Sequence, residues 1–500
     1  MSEKNPSIWQ RVKAAWYIPA IFLVLVAISA TLSYFVFGRE SLRLDEAQSI
    51  WQTSHSLTGM LEVVAQDVHM PFYHILLHYW IATFGNDVYT VRLMSYILFV
   101  ICVPFVYLLS RTVLSRKWSL FVVALFIFSP FVNWYANEAR MYTLLALMSL
   151  ANQYFFVRIM QARKNSWPWY ILTTVVGAYS HYFFFFNLLT QAIFFLVYKK
   201  KFPKKTFSKL VGTAIILIAA ISPWIYYFIS EGAAGNTRPL IELPSAINFF
   251  NAYSQFLFGF QNSTINTFLL SLWPLTVIVA FLIVRRFIRP SPQLHFIAFA
   301  AFVPPLLAFL LSFLITPFFL PRYMFAVVAP LLIVIVWIIS IASKRAAFIS
   351  IAIALVGTIT LAVIQTISST NPVRESYYQV TQDIERSATP SDVVALSSPF
   401  TVYPFEYYYD GPTQVKTLPN WDRKQQGSVP PYNAEQIDDQ VNSLKKGHDK
   451  IYLLLSYDQG YEENLRNYFA NRYELLSQTD YTPSMKLLVY RVGYNDPVSF

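Results

Sequence analysis

Residues 17–46, YIPAIFLVLVAISATLSYFVFGRESLRLDE, decide the fold. Segment 17–37 carries no charge and has the length that crosses a bilayer as a helix, about 20 apolar residues. It has no small-residue cleavage site and leads into further apolar blocks, so it reads as a retained span and not as a signal peptide. Charge then returns at once, as Arg39, Glu40, Arg43, Asp45 and Glu46. Charge beside a membrane interior is costly and seldom accidental. The adjacent acids just past the first span are therefore the first pointer to function.

The pattern of that stretch repeats along the chain. Of 500 residues, 55% are hydrophobic and 13% charged, against about 25% charged in soluble domains. The reading is a polytopic α-helical membrane protein with about eleven spans, near 17–37, 91–110, 118–135, 140–157, 167–181, 183–198, 208–229, 265–284, 294–315, 323–342 and 346–367. The stretch 167–198 is too long for one ordinary span, and Ser180-His181 offers the turn. The single cysteine, Cys102, rules out a disulfide within one chain and a Cys-rich metal site.

The net charge of +11 divides unevenly. Residues 1–370 hold 26 Lys and Arg against 10 Asp and Glu, whereas residues 371–500 hold 12 against 17. Eleven spans with a cytoplasmic N-terminus sort 20 of those 26 basic residues to the inner loops, the run Lys199 to Lys209 among them, and only Glu3 of the ten acids. That bias is what the positive-inside rule expects. The basic charge is a topology signal and does not point to nucleic acid. The expected division is a transmembrane domain over 1–370 and a small extracytoplasmic α/β domain over 371–500, with β-type runs at Val393–Leu396, Ile451–Leu455 and Leu487–Val492 and a helix over Glu462–Leu476.

On the outer face the large elements are the first loop, 38–90, and residues 230–264. Within the loop, 72–84 is apolar but too short to span, so it reads as an interfacial or re-entrant helix. The polar groups gather at outer span ends: Asp45, Glu46, Asp67, His69, Tyr73, His74 and His78 in the loop, then Glu138, Arg140 and Tyr142, then His181 and Tyr182, then Arg322 and Tyr323. Bundled spans would bring these ends into one pocket. The set suits sugar transfer from a lipid phosphate. A carboxylate takes the proton of the attacking hydroxyl, the transition state is oxocarbenium-like, and arginine offers a planar donor fork to the departing phosphate. Plainer roles compete: Asp45 as a helix cap, Glu138 paired with Arg140, Arg322 reaching to headgroups. His74 and His78 have the i, i+4 spacing of zinc ligands, but no Glu follows His74 and no third ligand is evident.

The stretches Arg43-Leu44-Asp45-Glu46-Ala47; His69-Met70-Pro71-Phe72-Tyr73 with His78, Trp80, Gly85 and Arg92; Glu138-Ala139-Arg140-Met141-Tyr142; His181-Tyr182; and Pro321-Arg322-Tyr323 resemble, in this order, the GT-C membrane glycosyltransferases. The likeness is to the protein O-mannosyltransferase and aminoarabinose transferase superfamily, over about 370 residues of architecture. It implies an extracytoplasmic active site, a polyprenyl-phosphate-linked sugar donor and inversion at the anomeric carbon. It further implies a catalytic role for Asp45, with Glu46 and Glu138 as further acids. Arg140, Arg322 and Tyr323 are expected at the donor phosphate, and His69, Tyr73, Tyr142, His181 and Tyr182 along the substrate pocket. His69 stands where some relatives carry a Glu, which leaves a divalent cation open; no other cofactor is implied. The acceptor class is glycan, lipid or protein, and the expected location is a bacterial inner membrane. A lipid or glycan transporter or flippase is the alternative, but no internal repeat is present and the charges sit at span ends instead of midplane.

Overall fold

The computed structural model describes residues 17–37, 40–67, 69–230, 241–261, 264–271, 291–315, 317–368, 374–423, 432–458 and 460–493. The chain divides into two compact units. One comprises Met1–Phe37, Arg92–Ile221 and Ile241–Ile367; the other comprises Gly38–Val91, Ser222–Leu240 and Ser368–Phe500.

Seven helices among the described residues are long and apolar enough to cross a membrane: Tyr17–Phe35, Val88–Ser110, Tyr142–Met160, Thr206–Ser230, Pro292–Leu311, Pro321–Ser340 and Lys344–Ile367. The span expected over 118–135 is two helices, Arg116–Phe128 and Pro130–Ala136, bent by 57°. Pro130 causes the break, because its ring excludes the helical conformation at Ser129 and it has no N–H to donate. Ser129 then caps the second helix, its hydroxyl accepting from Val132 N at 3.3 Å. Counting that pair gives eight. The helices expected over 167–181 and 183–198 are present as Ser166–Ser180 and Phe184–Tyr198. At 15 residues each is about 22 Å long, short of the roughly 30 Å hydrocarbon core. Most of the span expected over 265–284 lies outside the described residues.

Within the first unit, the turn at His181 is tight enough to bring Phe184 against Gly177. A Cβ at Gly177 would lie 2.3 Å from the Phe184 ring, so only glycine admits this approach. The Tyr142–Met160 helix packs on Ser166–Ser180 through a buried polar cluster. Asn152 donates to Thr174 Oγ1 at 2.9 Å and accepts from Gln191 at 2.6 Å and Asn187 at 3.0 Å. Burying amides between apolar helices is tolerated because each finds a partner there.

In the second unit, residues beyond 374 build a five-stranded sheet: β1 Val393–Ser397, β2 Gln414–Thr417, β3 Lys450–Ser456, β4 Glu474–Thr482 and β5 Met485–Arg491, in the order β2-β1-β3-β5-β4. β1 is parallel to β2 and β3, and β5 is antiparallel to β3 and β4. The three runs read as strands from the sequence are β1, β3 and β5. β1 is buried throughout and β3 nearly so, as strands covered on both faces must be. Ile437, Val441 and Leu444 of the Ala434–Lys445 helix meet Leu465, Tyr468 and Phe469 of the Glu462–Ala470 helix in this core; both sets follow helical spacing. The expected helix over 462–476 stops at Ala470, and β4 begins at Glu474. The apolar period runs on through Tyr473 and Leu476, but the edge of β5 offers a hydrogen-bonded ladder that wins over local preference.

Candidate functional site

The Leu44–Thr53 helix carries Asp45 and Glu46 in its first turn, where carboxylates complement the helix dipole. The helix cap is not Asp45. Glu46, buried, accepts the Arg43 N–H at 2.9 Å, so it holds the helix start in the manner of a capping-box acid. Asp45 is half-buried, and its backbone carbonyl accepts from Ser49 Oγ at 3.0 Å.

His69 is brought to the same helix through Asp67. One Asp67 oxygen accepts from Gln48 at 2.9 Å and Gln52 at 2.7 Å, and lies 3.5 Å from His69 Nε2. The His69 ring stacks on His74 at 5.8 Å. Tyr73 and His74 are buried at the start of the Phe72–Phe84 helix, which spans the residues expected of the short loop helix. His78 Nδ1 meets the Thr53 carbonyl at 2.9 Å, so it braces two helices. Among the described residues no group of three or more His, Cys, Asp or Glu is arranged to hold a metal ion.

The segment before Asp45 is strapped to residues more than 300 positions away. Glu40 pairs with Arg374 at 3.1 Å and Arg43 at 3.4 Å. Ser41 Oγ accepts from Tyr378 N at 3.1 Å, and the Tyr408 hydroxyl accepts from Leu42 N at 2.7 Å. Leu44 N donates to Glu375 Oε2 at 3.1 Å, and the Tyr457 hydroxyl donates to Glu375 Oε1. Burial pushes the Glu375 carboxyl up to about 8. The Tyr457 hydrogen bond and the Arg43 charge oppose the rise, while Asp45 and Glu46 add to it. Further along the helix, Trp51 packs on Tyr403 at 5.1 Å, and the Arg423 guanidinium lies 5.2 Å from the Trp51 ring. None of Glu375, Tyr408 or Tyr457 was singled out from the sequence, because no local motif marks them.

The first unit holds the other candidates. Glu138 and Arg140 are buried in the turn between Pro130–Ala136 and Tyr142–Met160, and Tyr142 is buried at the start of the latter helix. Arg140 N donates to the Glu138 carbonyl at 2.7 Å, and the Arg140 carbonyl accepts from Ser95 Oγ at 3.3 Å. His181 Nδ1 accepts from Phe183 N at 3.1 Å, which places the proton of a neutral ring on Nε2. Tyr323 gathers the neighbouring rings: His181 at 5.1 Å, Phe183 at 4.9 Å and Tyr142 at 6.3 Å. The Arg322 guanidinium lies 5.5 Å from the Tyr323 ring. Tyr142, His181 and Tyr323, expected together from three separate span ends, do meet. Tyr182 is half-buried beside them in sequence, its carbonyl accepting from Phe185 N at 3.0 Å. Arg92, quoted above only as part of a motif, is buried, an uncommon place for a guanidinium.

Residues 68–227 match the family of dolichyl-phosphate-mannose-protein mannosyltransferases. No curated protein sequence matches the chain. ArnT from Cupriavidus metallidurans in the apo state has the same fold, with a TM-score of 0.62 at 13% identity over 95% of this chain and 98% of that one. ArnT bound to undecaprenyl phosphate gives 0.60 at 12% identity over 96% and 98%. The arabinofuranosyltransferase AftD from Mycobacteria gives 0.54 at 13% identity over 95% of this chain and 40% of that one. AglB from Archaeoglobus fulgidus, an oligosaccharyltransferase in complex with an inhibitory peptide and a dolichol-phosphate, gives 0.50 at 12% identity over 88% and 70%. Over residues 68–227 the chain is thus similar to the dolichyl-phosphate-mannose-protein mannosyltransferases, and over nearly its whole length it shares the fold of ArnT.

Proposed function

We propose that this protein is a membrane glycosyltransferase of the GT-C superfamily that moves a sugar from a polyprenyl-phosphate donor to an acceptor at the outer face of a bacterial inner membrane, with inversion at the anomeric carbon. Asp45 takes the proton of the acceptor hydroxyl as that oxygen bonds to the anomeric carbon. The bond from that carbon to the phosphate oxygen breaks, and polyprenyl phosphate leaves with the electron pair. Arg140 and Arg322 are the donors for its charge, with Tyr323 beside Arg322. Glu138, His69, Tyr73, Tyr142, His181 and Tyr182 serve the substrates.

The observation that carries this reading is the family match over residues 68–227, joined to an acid pair in the first turn of a helix that lies outside the apolar spans found among the described residues. ArnT holds undecaprenyl phosphate and AglB a dolichol-phosphate, which supports a polyprenyl-phosphate donor here. Eleven spans, with the N-terminus cytoplasmic and residues 371–500 an extracytoplasmic domain, accord with the sorting of basic residues.

The experiment is transfer by the purified protein in nanodiscs from a panel of undecaprenyl-phosphate sugars to an envelope extract, read by mass spectrometry. Release of undecaprenyl phosphate with a matching glycosylated product supports the proposal. Movement of intact donor across vesicle membranes with no product formed would favour transport instead.

A further inference from the structure

A helix start leaves its first backbone N–H groups without intrahelical partners. In the Leu44–Thr53 helix and the two residues before it, those groups are met from two sources. Arg43 N goes to Glu46 within the helix, but Leu42 N goes to Tyr408 and Leu44 N to Glu375, both beyond residue 370. The Glu40–Arg374 ion pair and the Tyr378–Ser41 contact secure the same segment on either side. Glu375 is the centre of this strap. One oxygen holds the residue next to Asp45, and the other accepts from Tyr457, which follows the end of β3. Tyr457 is itself fixed: its carbonyl accepts from Ser398 Oγ at 2.7 Å, just past the end of β1.

We propose that Glu375 is a positioning residue for the transfer reaction, fixing the helix turn that carries Asp45 to the ends of β1 and β3. The inference rests on the assignment of Asp45 as base. It gives the sheet-bearing region a function in catalysis: the first-loop segment carries the acid, and residues 374–457 set its place. A misplacement of about 1 Å costs on the order of 10²-fold in rate, so a rigid strap at the neighbouring peptide acts on kcat more than on donor binding. The charged and titratable groups around Glu375 are Arg43, Asp45 and Glu46 from the helix start and Tyr377 and Tyr457 from the sheet region, with Glu40 and Arg374 paired alongside.

The test uses the full chain in nanodiscs with the donor active in the transfer assay. Glu375→Ala, Glu375→Gln and Tyr457→Phe are each made alone and in an Asp45→Asn background. Glu375→Ala is expected to lower kcat roughly 10- to 100-fold, with the donor KM within about twofold. Glu375→Gln keeps an oxygen for Leu44 N and is expected to recover most of that loss, while Tyr457→Phe lowers kcat a few-fold. In the Asp45→Asn background, Glu375→Ala should cost nothing further, because the group it positions is gone. Wild-type kcat in both Glu375→Ala and Tyr457→Phe would overturn the inference, as would an equal loss in both backgrounds. If the alanine variant does not fold, an inactive Asp45→Asn beside wild-type kcat in Tyr457→Phe and an unchanged pH profile in Glu375→Gln also overturns it. Those results leave the base assignment standing. A fully active Asp45→Asn removes the base assignment and this inference with it.

Discussion

The rings of His181 and Tyr323 lie 5.1 Å apart at 49°, although they come from different helix ends of the spanning unit. Phe183 and Tyr142 complete the contact around Tyr323. Removing a buried aromatic side chain costs about 3–5 kcal/mol, and Tyr323 is half-buried, so Tyr323→Ala should cost about 2 kcal/mol or more. Tyr323→Phe keeps the ring and should stay within about 1 kcal/mol. Thermal melting of the purified variants separates the two. If the hydroxyl meets the donor phosphate, Tyr323→Phe raises the donor KM with its melting temperature unchanged.

The phosphate role divides between two arginines. Loss of one partner from a buried charged contact costs about 2–5 kcal/mol, so Arg140→Ala or Arg322→Ala should lower kcat/KM by roughly 30-fold or more. Lysine keeps the charge but not the fork, and should restore little. Donor titrations with each variant are the check. Alanine at both positions with unchanged donor affinity would place the phosphate elsewhere.

Much of this arrangement was legible in the sequence, for identifiable reasons. The Tyr17–Phe37 and Val88–Ser110 helices follow from uninterrupted apolar length, which needs no tertiary knowledge. The turn at His181 and the meeting of Tyr142, His181 and Tyr323 follow from polar residues recurring at span ends. The 57° break was missed although its signal, Ser129-Pro130, was in plain view; apolar composition alone made 118–135 look continuous. The strap around Asp45 had no signal to find. Glu375 reaches Leu44, Tyr408 reaches Leu42 and Tyr457 reaches Glu375 only through tertiary folding, and each looks like an ordinary surface residue in its own segment.

Glu375 also makes the protein's stability depend on pH. Its carboxyl sits at about 8 in the folded chain, chiefly through burial, against an ordinary 4.5. The fold therefore keeps a proton that the unfolded chain has released. The stabilisation from this group is fully present below about 4.5 and is lost as pH rises through about 8. Wild type should lose melting temperature between about pH 5 and pH 8, and Glu375→Gln, which cannot titrate, should lose less. Equal losses in the two proteins would show that Glu375 keeps an ordinary pKa.

The central claim is that Asp45 is the base. Asp45→Asn preserves the size of the side chain in the first turn of its helix and removes its basicity. The Arg43 and Leu44 N–H groups at the helix start are held by Glu46 and Glu375, so the variant should fold and insert as wild type does. The decisive measurement is sugar transfer from the polyprenyl-phosphate donor by purified wild type and Asp45→Asn, with donor affinity and melting temperature measured on the same samples. The expected result is a loss of roughly 10²–10⁴-fold in kcat with affinity and melting temperature unchanged. Full activity in Asp45→Asn would contradict the account and move the proton to another acid, Glu46 or Glu138.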